Sequence, residues 1–193
     1  MQPLTRDDLY SLEHYADIRA DFRARVMAHK KDRNVPIGDH ATLYFEDRLT
    51  IQYQVQEMLR VERIFERAGI EDELGAYNPL IPDGSNWKAT FMIEYADVDE
   101  RRAALARLQG VEDRVWVQAD GQERIFAVAD EDLERSDETK TSSVHFLRFE
   151  LTPGVVQALK GGAGLRMGID HPAYEQEVEV APRVRDALSA DLD

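Results

Sequence analysis

The chain has 193 residues, 24 Lys plus Arg against 38 Asp plus Glu, a formal charge of −14 and no cysteine. The length suffices to bury a core without covalent staples. The missing cysteine excludes disulfides, thiolate nucleophiles, iron–sulfur clusters held by this chain and cysteine zinc sites, so any metal must be held by His, carboxylate or backbone oxygen.

The opening MQPLTRDDLY has no basic start followed by an apolar run. No stretch reaches the roughly 20 apolar residues of a membrane span, and the expectation is a soluble, cytoplasmic protein. A net negative charge argues against general affinity for nucleic acid or anionic lipid. The charge is uneven: 11 − 12 = −1 over residues 1–68 and 13 − 26 = −13 over residues 69–193.

Thr5 with Asp8 has the pattern of a capping box, followed by Leu9 and Leu12 at helical spacing. A second helix is predicted over residues 16–31, with Ile18, Phe22, Val26 and His29 on one stripe and Arg19, Arg23 and Lys30 beside it. Residues 18–36 hold six basic and two acidic side chains, a local +4. Val35-Pro36-Ile37-Gly38 breaks the helix and leads, extended, through His40 to Leu43-Tyr44-Phe45. The strongest helix is predicted over residues 47–67, with Ile51, Val55, Met58, Leu59 and Phe65 on one stripe and Gly69 as its stop. The segment IEDELGAYNPLIPDGSNWK holds two prolines and two turn pairs and reads as an ordered loop. The expected organisation is a helical region 1–70, a linker 71–86 and an α+β domain 87–193.

Beyond residue 86 the period changes. WKATFMIEY alternates as a strand, Asp97 caps a helix running to Gly110, and RVWVQ and RIFAV flank Asp120-Gly121 as a hairpin. The order then returns. SVHFLRFEL alternates, Thr152 caps a helix with Pro153 in its first turn and Gly161-Gly162 at its end, and LRMGI and YEQEVEV flank a turn. The predicted fold class is α+β, with the helical part packed on a mainly antiparallel sheet of two β-α-β-β units. Duplication and an ordinary meander are both compatible with this order.

No His-Glu-x-x-His, Glu-x-x-His, Gly-x-Ser-x-Gly or phosphate-cradling loop is present. Around the main helix, Glu62 falls within the apolar stripe, and a carboxylate there must be paired, protonated or metal-bound. Structural pairing with arginine is the first reading. The second is a metal site drawing on His40, Glu46, Glu57 and Glu62, with non-haem iron or manganese as the metal. His145 and His29 read as core histidines, and the acidic run at 130–138 as an exposed loop. Binding candidates are Arg48 and Arg60 on the helix, and Tyr77, Asn78 and Trp87 where the loop 74–88 would cover a pocket.

FEDRLTIQYQVQEMLRVERIFE, ELGAYNPLIPDGSNWKAT, DEDLERSDETKTSSVHFLRFELTP and the opening TRDDLYSLEHYADIRADFRARVMAHKK resemble the bacterial domain-of-unknown-function family numbered 3501, over essentially the whole chain. The resemblance implies a genomic setting beside a rubrerythrin-type di-iron protein and an iron–sulfur oxidoreductase, and so a part in peroxide defence or electron transfer. It supplies no catalytic residues. With no cysteine of its own, the chain is expected to be an accessory or assembly partner of those two proteins. The alternatives are a His/carboxylate metal enzyme or sensor and a small-molecule-binding module. In the accessory reading the helical part or the acidic sheet domain is the docking surface; the alternative is that the basic strip Arg19, Arg23, Lys30 and the acidic stretch 130–138 face each other within the fold or across a homodimer.

Overall fold

The computed structural model describes residues 1–133, 135–136 and 139–193. Asp8 accepts hydrogen bonds from the Thr5 N–H and hydroxyl at 2.7 and 2.9 Å, as the capping box predicts. The box starts only the short 3-10 turn Arg6–Asp8. The long helix α1 (Leu12–Lys30) is capped separately by Ser11 and buries Tyr15, Phe22 and Val26. The segment broken by Pro36 is a hairpin of β1 (Asn34–Ile37) and β2 (Ala41–Phe45). Pro36 sits in an edge strand, where its missing N–H costs no ladder bond.

Helix α2 (Arg48–Glu62) starts at Asp47, whose carboxylate accepts from the Thr50 N–H at 2.9 Å. It stops five residues earlier than predicted. Arg63 takes the left-handed conformation, φ 55°, and the Ile64 N–H closes onto the Leu59 carbonyl at 2.9 Å. Such a stop usually uses glycine, and the available glycine, Gly69, lies instead inside α3 (Arg67–Tyr77). Residues 71–77, expected as loop, are therefore helical, because Pro79 and Pro82 fall beyond them. Glu62 and Phe65 are both exposed at this corner, so Glu62 is not a carboxylate held in an apolar stripe.

The remaining elements are β3 (Asn86–Ile93), α4 (Val98–Arg107), β4 (Val115–Ala119), β5 (Ile125–Phe126), β6 (Val128–Ala129), β7 (Val144–Glu150), α5 (Pro153–Lys160), β8 (Leu165–His171), β9 (Tyr174–Glu179) and α6 (Pro182–Ser189). Asp97 and Thr152 cap α4 and α5 as expected. The order β-α-β-β occurs twice, but its strands divide between two antiparallel sheets. One has the order β1-β2-β3-β7-β6 and the other β5-β4-β8-β9. The second unit gives β7 to one sheet and β8 and β9 to the other; the first gives β3 to one and β4 and β5 to the other, and the expected strand RIFAV breaks at Ala127, so that β6 returns to the sheet of β3.

Inward residues of both sheets, among them Leu43, Trp87, Phe91, Phe149, Val117 and Met167, form one core closed by Leu105, Leu159 and Leu188 from α4, α5 and α6. The two sheets meet along both edges. Tyr174 donates its hydroxyl to the Ile37 carbonyl at 2.8 Å, and the Ala127 N–H, between β5 and β6, donates to the Val115 carbonyl at 2.9 Å. Gly168 lies opposite Trp116 across β4–β8; a Cβ there would collide with the indole and approach the Gln176 carbonyl oxygen to 2.7 Å.

Arg33 is buried where the chain's segments converge. It donates to the carbonyls of Phe45 (3.2 Å) and Glu46 (3.3 Å), and it pairs with Asp47 at 3.4 Å and with Asp191. His29, expected in the core, is instead partly exposed and bonds Asp47. Removing one member of a buried ion cluster leaves the others uncompensated. Arg33→Met is expected to lower the unfolding free energy by about 3–5 kcal/mol in urea denaturation, whereas a value near zero would show that the cluster is solvated.

Candidate functional site

The four residues grouped as a metal centre do not converge, and no cluster of three or more His, Asp or Glu side chains suited to a metal exists among the described residues. His40, at the β1–β2 turn, stacks on Tyr95 with ring centroids 3.9 Å apart, and its Nδ1 lies 3.1 Å from the Glu94 carbonyl oxygen. Glu46 is buried and accepts from the hydroxyls of Thr50 (2.6 Å) and Thr90 (2.9 Å). Glu57 accepts from Arg19 Nε and Nη2, both at 2.7 Å, and from the Tyr15 hydroxyl at 2.8 Å. Arg19 thus binds α1 to α2, and not the acidic stretch at 130–138.

Four binding candidates are tied to the architecture. Arg48 pairs with Asp8 at 2.6 Å and donates to the Gln2 carbonyl. Arg60 lies 3.7 Å from Glu57. The Asn78 side chain brackets Leu4, accepting from its N–H (2.8 Å) and donating to its carbonyl (2.9 Å). Trp87 is buried, with Nε1 donating to the Leu188 carbonyl at 2.9 Å.

Asn78 also borders a shallow cavity with Arg6, Arg67 and Glu71, and Tyr77 lines a cleft of about 450 Å³ between the end of α3 and the outer face of β3 and β7. Its apolar wall is Pro79, Leu80 and Phe146; its polar groups are Lys88, Arg148, Glu131 and Asp132. Lys88 and Arg148 stand directly opposite in the β3–β7 register. Arg148 is satisfied by a two-pronged contact with Glu131 (2.8 and 2.9 Å) and by Glu150 at 2.6 Å. Arg135 holds Asp132 through two bonds, 2.7 and 2.8 Å, and lies 4.6 Å over the Phe146 ring. These bonds hold Glu131 below the ordinary carboxylate range and lower Asp132 to about 2. Lys88 differs. Half-buried, its ammonium makes no hydrogen bond or ion pair among the described residues, and burial pushes it below the ordinary lysine value.

Glu131 and Asp132 form the rim of this cleft, and the residue before them is anchored from beneath. Asp130 is left-handed, φ 49°, a conformation costing roughly 1–2 kcal/mol for a residue with a Cβ. It is held there by many bonds. Its N–H donates to the Phe146 carbonyl (2.8 Å); its carboxylate accepts from the Phe146 N–H (2.9 Å) and lies 2.6 Å from His145 Nδ1. His145 Nε2 lies 2.9 Å from the Thr141 hydroxyl, which donates to Glu112 at 3.0 Å. His145 is thus a satisfied core histidine, as expected. The described part of the acidic run is an exposed loop, as expected, with Glu131 and Asp132 held by arginines; Glu134, Asp137 and Glu138 lie outside the described residues.

Lys88, Phe146, Arg148 and Arg135 were not singled out by sequence reasoning. The alternation of WKATFMIEY and SVHFLRFEL puts Lys88, Phe146 and Arg148 on the side away from the core. Nothing in that alternation says that α3 partly covers this side.

The Arg19 hydrogen bonds hold the Glu57 carboxyl below its ordinary range. A lowered native pKa stabilises the fold above the unfolded value of about 4.3, and this contribution is lost as pH falls through the native one. Glu57→Gln is therefore expected to flatten the loss of stability below about pH 4.3 in urea titrations at stepped pH; an unchanged slope would mean that the pair does not persist in solution.

Among the described residues, no helix is long and apolar enough to cross a membrane. No curated protein matches the chain. A crystal structure of a protein of unknown function from Burkholderia pseudomallei is 54% identical, covers 100% of both chains and superposes with a TM-score of 0.95. A family model described as "Protein of unknown function (DUF3501)" matches residues 3–192. With that span matched and the two-sheet fold shared with the Burkholderia protein, the chain belongs to the DUF3501 family.

Proposed function

We propose that the protein is a small-molecule-binding module whose ligand occupies the cleft between α3 and the β3–β7 face. The observation that carries this reading is Lys88, a half-buried ammonium with no hydrogen bond or ion pair among the described residues, in a mostly apolar cleft where Arg148, Glu131 and Asp132 are already paired. Leaving a cationic donor partly desolvated costs free energy that a structural role does not require, and a bound acceptor offsets it. A cleft with an apolar wall and few convergent polar groups is the usual form of a ligand site. A library of small organic compounds screened by thermal shift should yield ligands that stabilise the wild-type protein by about 2–3 kcal/mol near a hundredfold excess over Kd. Lys88→Met should abolish that stabilisation while leaving the ligand-free protein folded. Hits insensitive to Lys88→Met and to Phe146→Ala alike would place binding elsewhere and overturn the reading.

A second reading, that the chain is a cytoplasmic accessory of a rubrerythrin-type protein and an iron–sulfur oxidoreductase, rests on the family resemblance and the absence of cysteine. It is favoured by a surface feature separate from the cleft. Val61 and Phe65 are 61% and 73% exposed, and Phe65 borders a groove lined by Leu9, Tyr10, Leu12 and Ile70. An exposed aromatic ring beside an apolar groove is typical of partner contacts. Tagged protein at native expression should co-purify with both neighbours, and Val61→Ser with Phe65→Ser should reduce recovery. Recovery of neither neighbour by the wild-type protein would remove this reading.

A further inference from the structure

We infer that Lys88 captures its ligand as a reversible imine of a small aldehyde or ketone, whose apolar body lies against Phe146 and Leu80 in the cleft. The inference rests on the cleft reading above and adds the chemistry of the ligand. Lysine amines become nucleophilic when they are desolvated in an apolar pocket or set beside another cation, and Lys88 meets both conditions. It is half-buried, and Arg148 stands directly across the β3–β7 register on the same face. Burial, which disfavours the ammonium, outweighs the neighbouring carboxylates in setting its proton affinity. Those carboxylates do not quench the amine by contact, because Glu131 is engaged by Arg148 and Asp132 by Arg135.

The charge around the cleft selects against other ligand classes. Glu131 and Asp132 repel an organic acid from the rim, and an organic cation meets Lys88 and Arg148. An uncharged carbonyl compound meets neither penalty. The step balances within the groups named. The neutral Nζ lone pair forms a bond to the carbonyl carbon, the carbon–oxygen bond breaks, and the oxygen leaves as water with the two amine hydrogens. No electrons are gained or lost, and hydrolysis reverses the capture.

The chain has five lysines, and of these only Lys88 lies in a strand. Incubating the full chain with benzaldehyde and sodium cyanoborohydride, followed by peptide mapping, is expected to give a secondary-amine adduct at Lys88. Labelling at Lys30, Lys31, Lys140, Lys160 and the N-terminus should be about tenfold lower or less; Lys31, Lys140 and Lys160 are exposed, so their ammonium groups stay hydrated, and Lys160, which lines a separate cavity of about 720 Å³, controls for labelling that needs a cavity alone. Lys88→Arg keeps the cation and should lose the adduct. Phe146→Ala keeps the amine, removes the apolar wall and should lose the selectivity, so the test does not hang on one variant's folding. Labelling spread evenly over the five lysines overturns the inference. Benzyl alcohol, which has the same body without the carbonyl, separates it from the cleft reading. If both compounds stabilise the protein in a Lys88-dependent way but no adduct forms at Lys88, the imine falls and the cleft stands. If neither compound stabilises or labels the protein selectively, both fall.

Discussion

The buried guanidinium of Arg33 is the interaction on which the arrangement of helices and sheets depends. It follows the end of α1, reaches the carbonyls at the β2–α2 corner, pairs with the Asp47 that caps α2, and meets Asp191 near the C-terminus. A charge removed from water is tolerated only when every donor is met, so these segments must arrive together. Asp47 shows the balance of forces. Burial raises its pKa, yet Arg33, the Thr50 N–H and His29 together bring it below the ordinary aspartate value. Asp191, with Arg33 as its partner, remains raised by burial. One arginine thereby fixes the start of α2 relative to the tail after α6, whose own carbonyl at Leu188 receives the Trp87 indole N–H.

That fixed corner decides what happens on the outer face of the first sheet. Its inner face belongs to the common core, and its outer face would be an ordinary polar sheet surface if the helical region stood clear. Glu46 holds the two together, buried between the Thr50 hydroxyl of α2 and the Thr90 hydroxyl of β3. Further along the same face, the end of α3 stands off far enough to leave the cleft, and Arg135, which lies over the Phe146 ring, holds the rim residue Asp132. The left-handed Asp130 is tolerated because both Phe146 backbone groups and His145 hold it. Among the described residues, Lys88 is the charged side chain of the cleft wall that this bonding leaves over.

Much of the local structure was legible from the residues. The caps at Asp97 and Thr152, the two β-α-β-β orders and the alternating strands all follow from short-range rules whose signals lie within a few residues. The departures occur where a long-range contact decides. Arg63 ends α2 in a conformation that its side chain does not advertise, and the helix after it begins before the prolines that suggested a loop. Alternation tells which strand residues point inward, but not that successive strands of one unit go to different sheets. The candidate site suffered most from this. Glu57, Arg48 and Asn78 are polar residues in conspicuous places, but Arg19, Asp8 and Leu4 engage them from 38, 40 and 74 residues away. Lys88 looked ordinary because an exposed lysine on a strand is ordinary; its partial burial comes from α3, a helix the local signals had written as a loop.

The uneven charge of the chain has a structural address as well. In β9 the exposed Glu175, Glu177 and Glu179 alternate onto one side, and only Glu177 has a basic partner, Arg124, at 3.5 Å among the described residues. β9 is an edge strand of the second sheet. Edge strands offer unpaired backbone groups to other chains, and like charges along them oppose such pairing. The seam with β1, bridged by Tyr174, protects the same edge from within the molecule. Part of the acidity of residues 69–193 is thus explained without any ligand or partner. This matters for function, because it removes the acidic surface of β9 as an argument for a basic partner. The cleft at Lys88 and the groove bordered by Phe65 are two places, among the described residues, where a polar and an apolar group face solvent without an architectural reason.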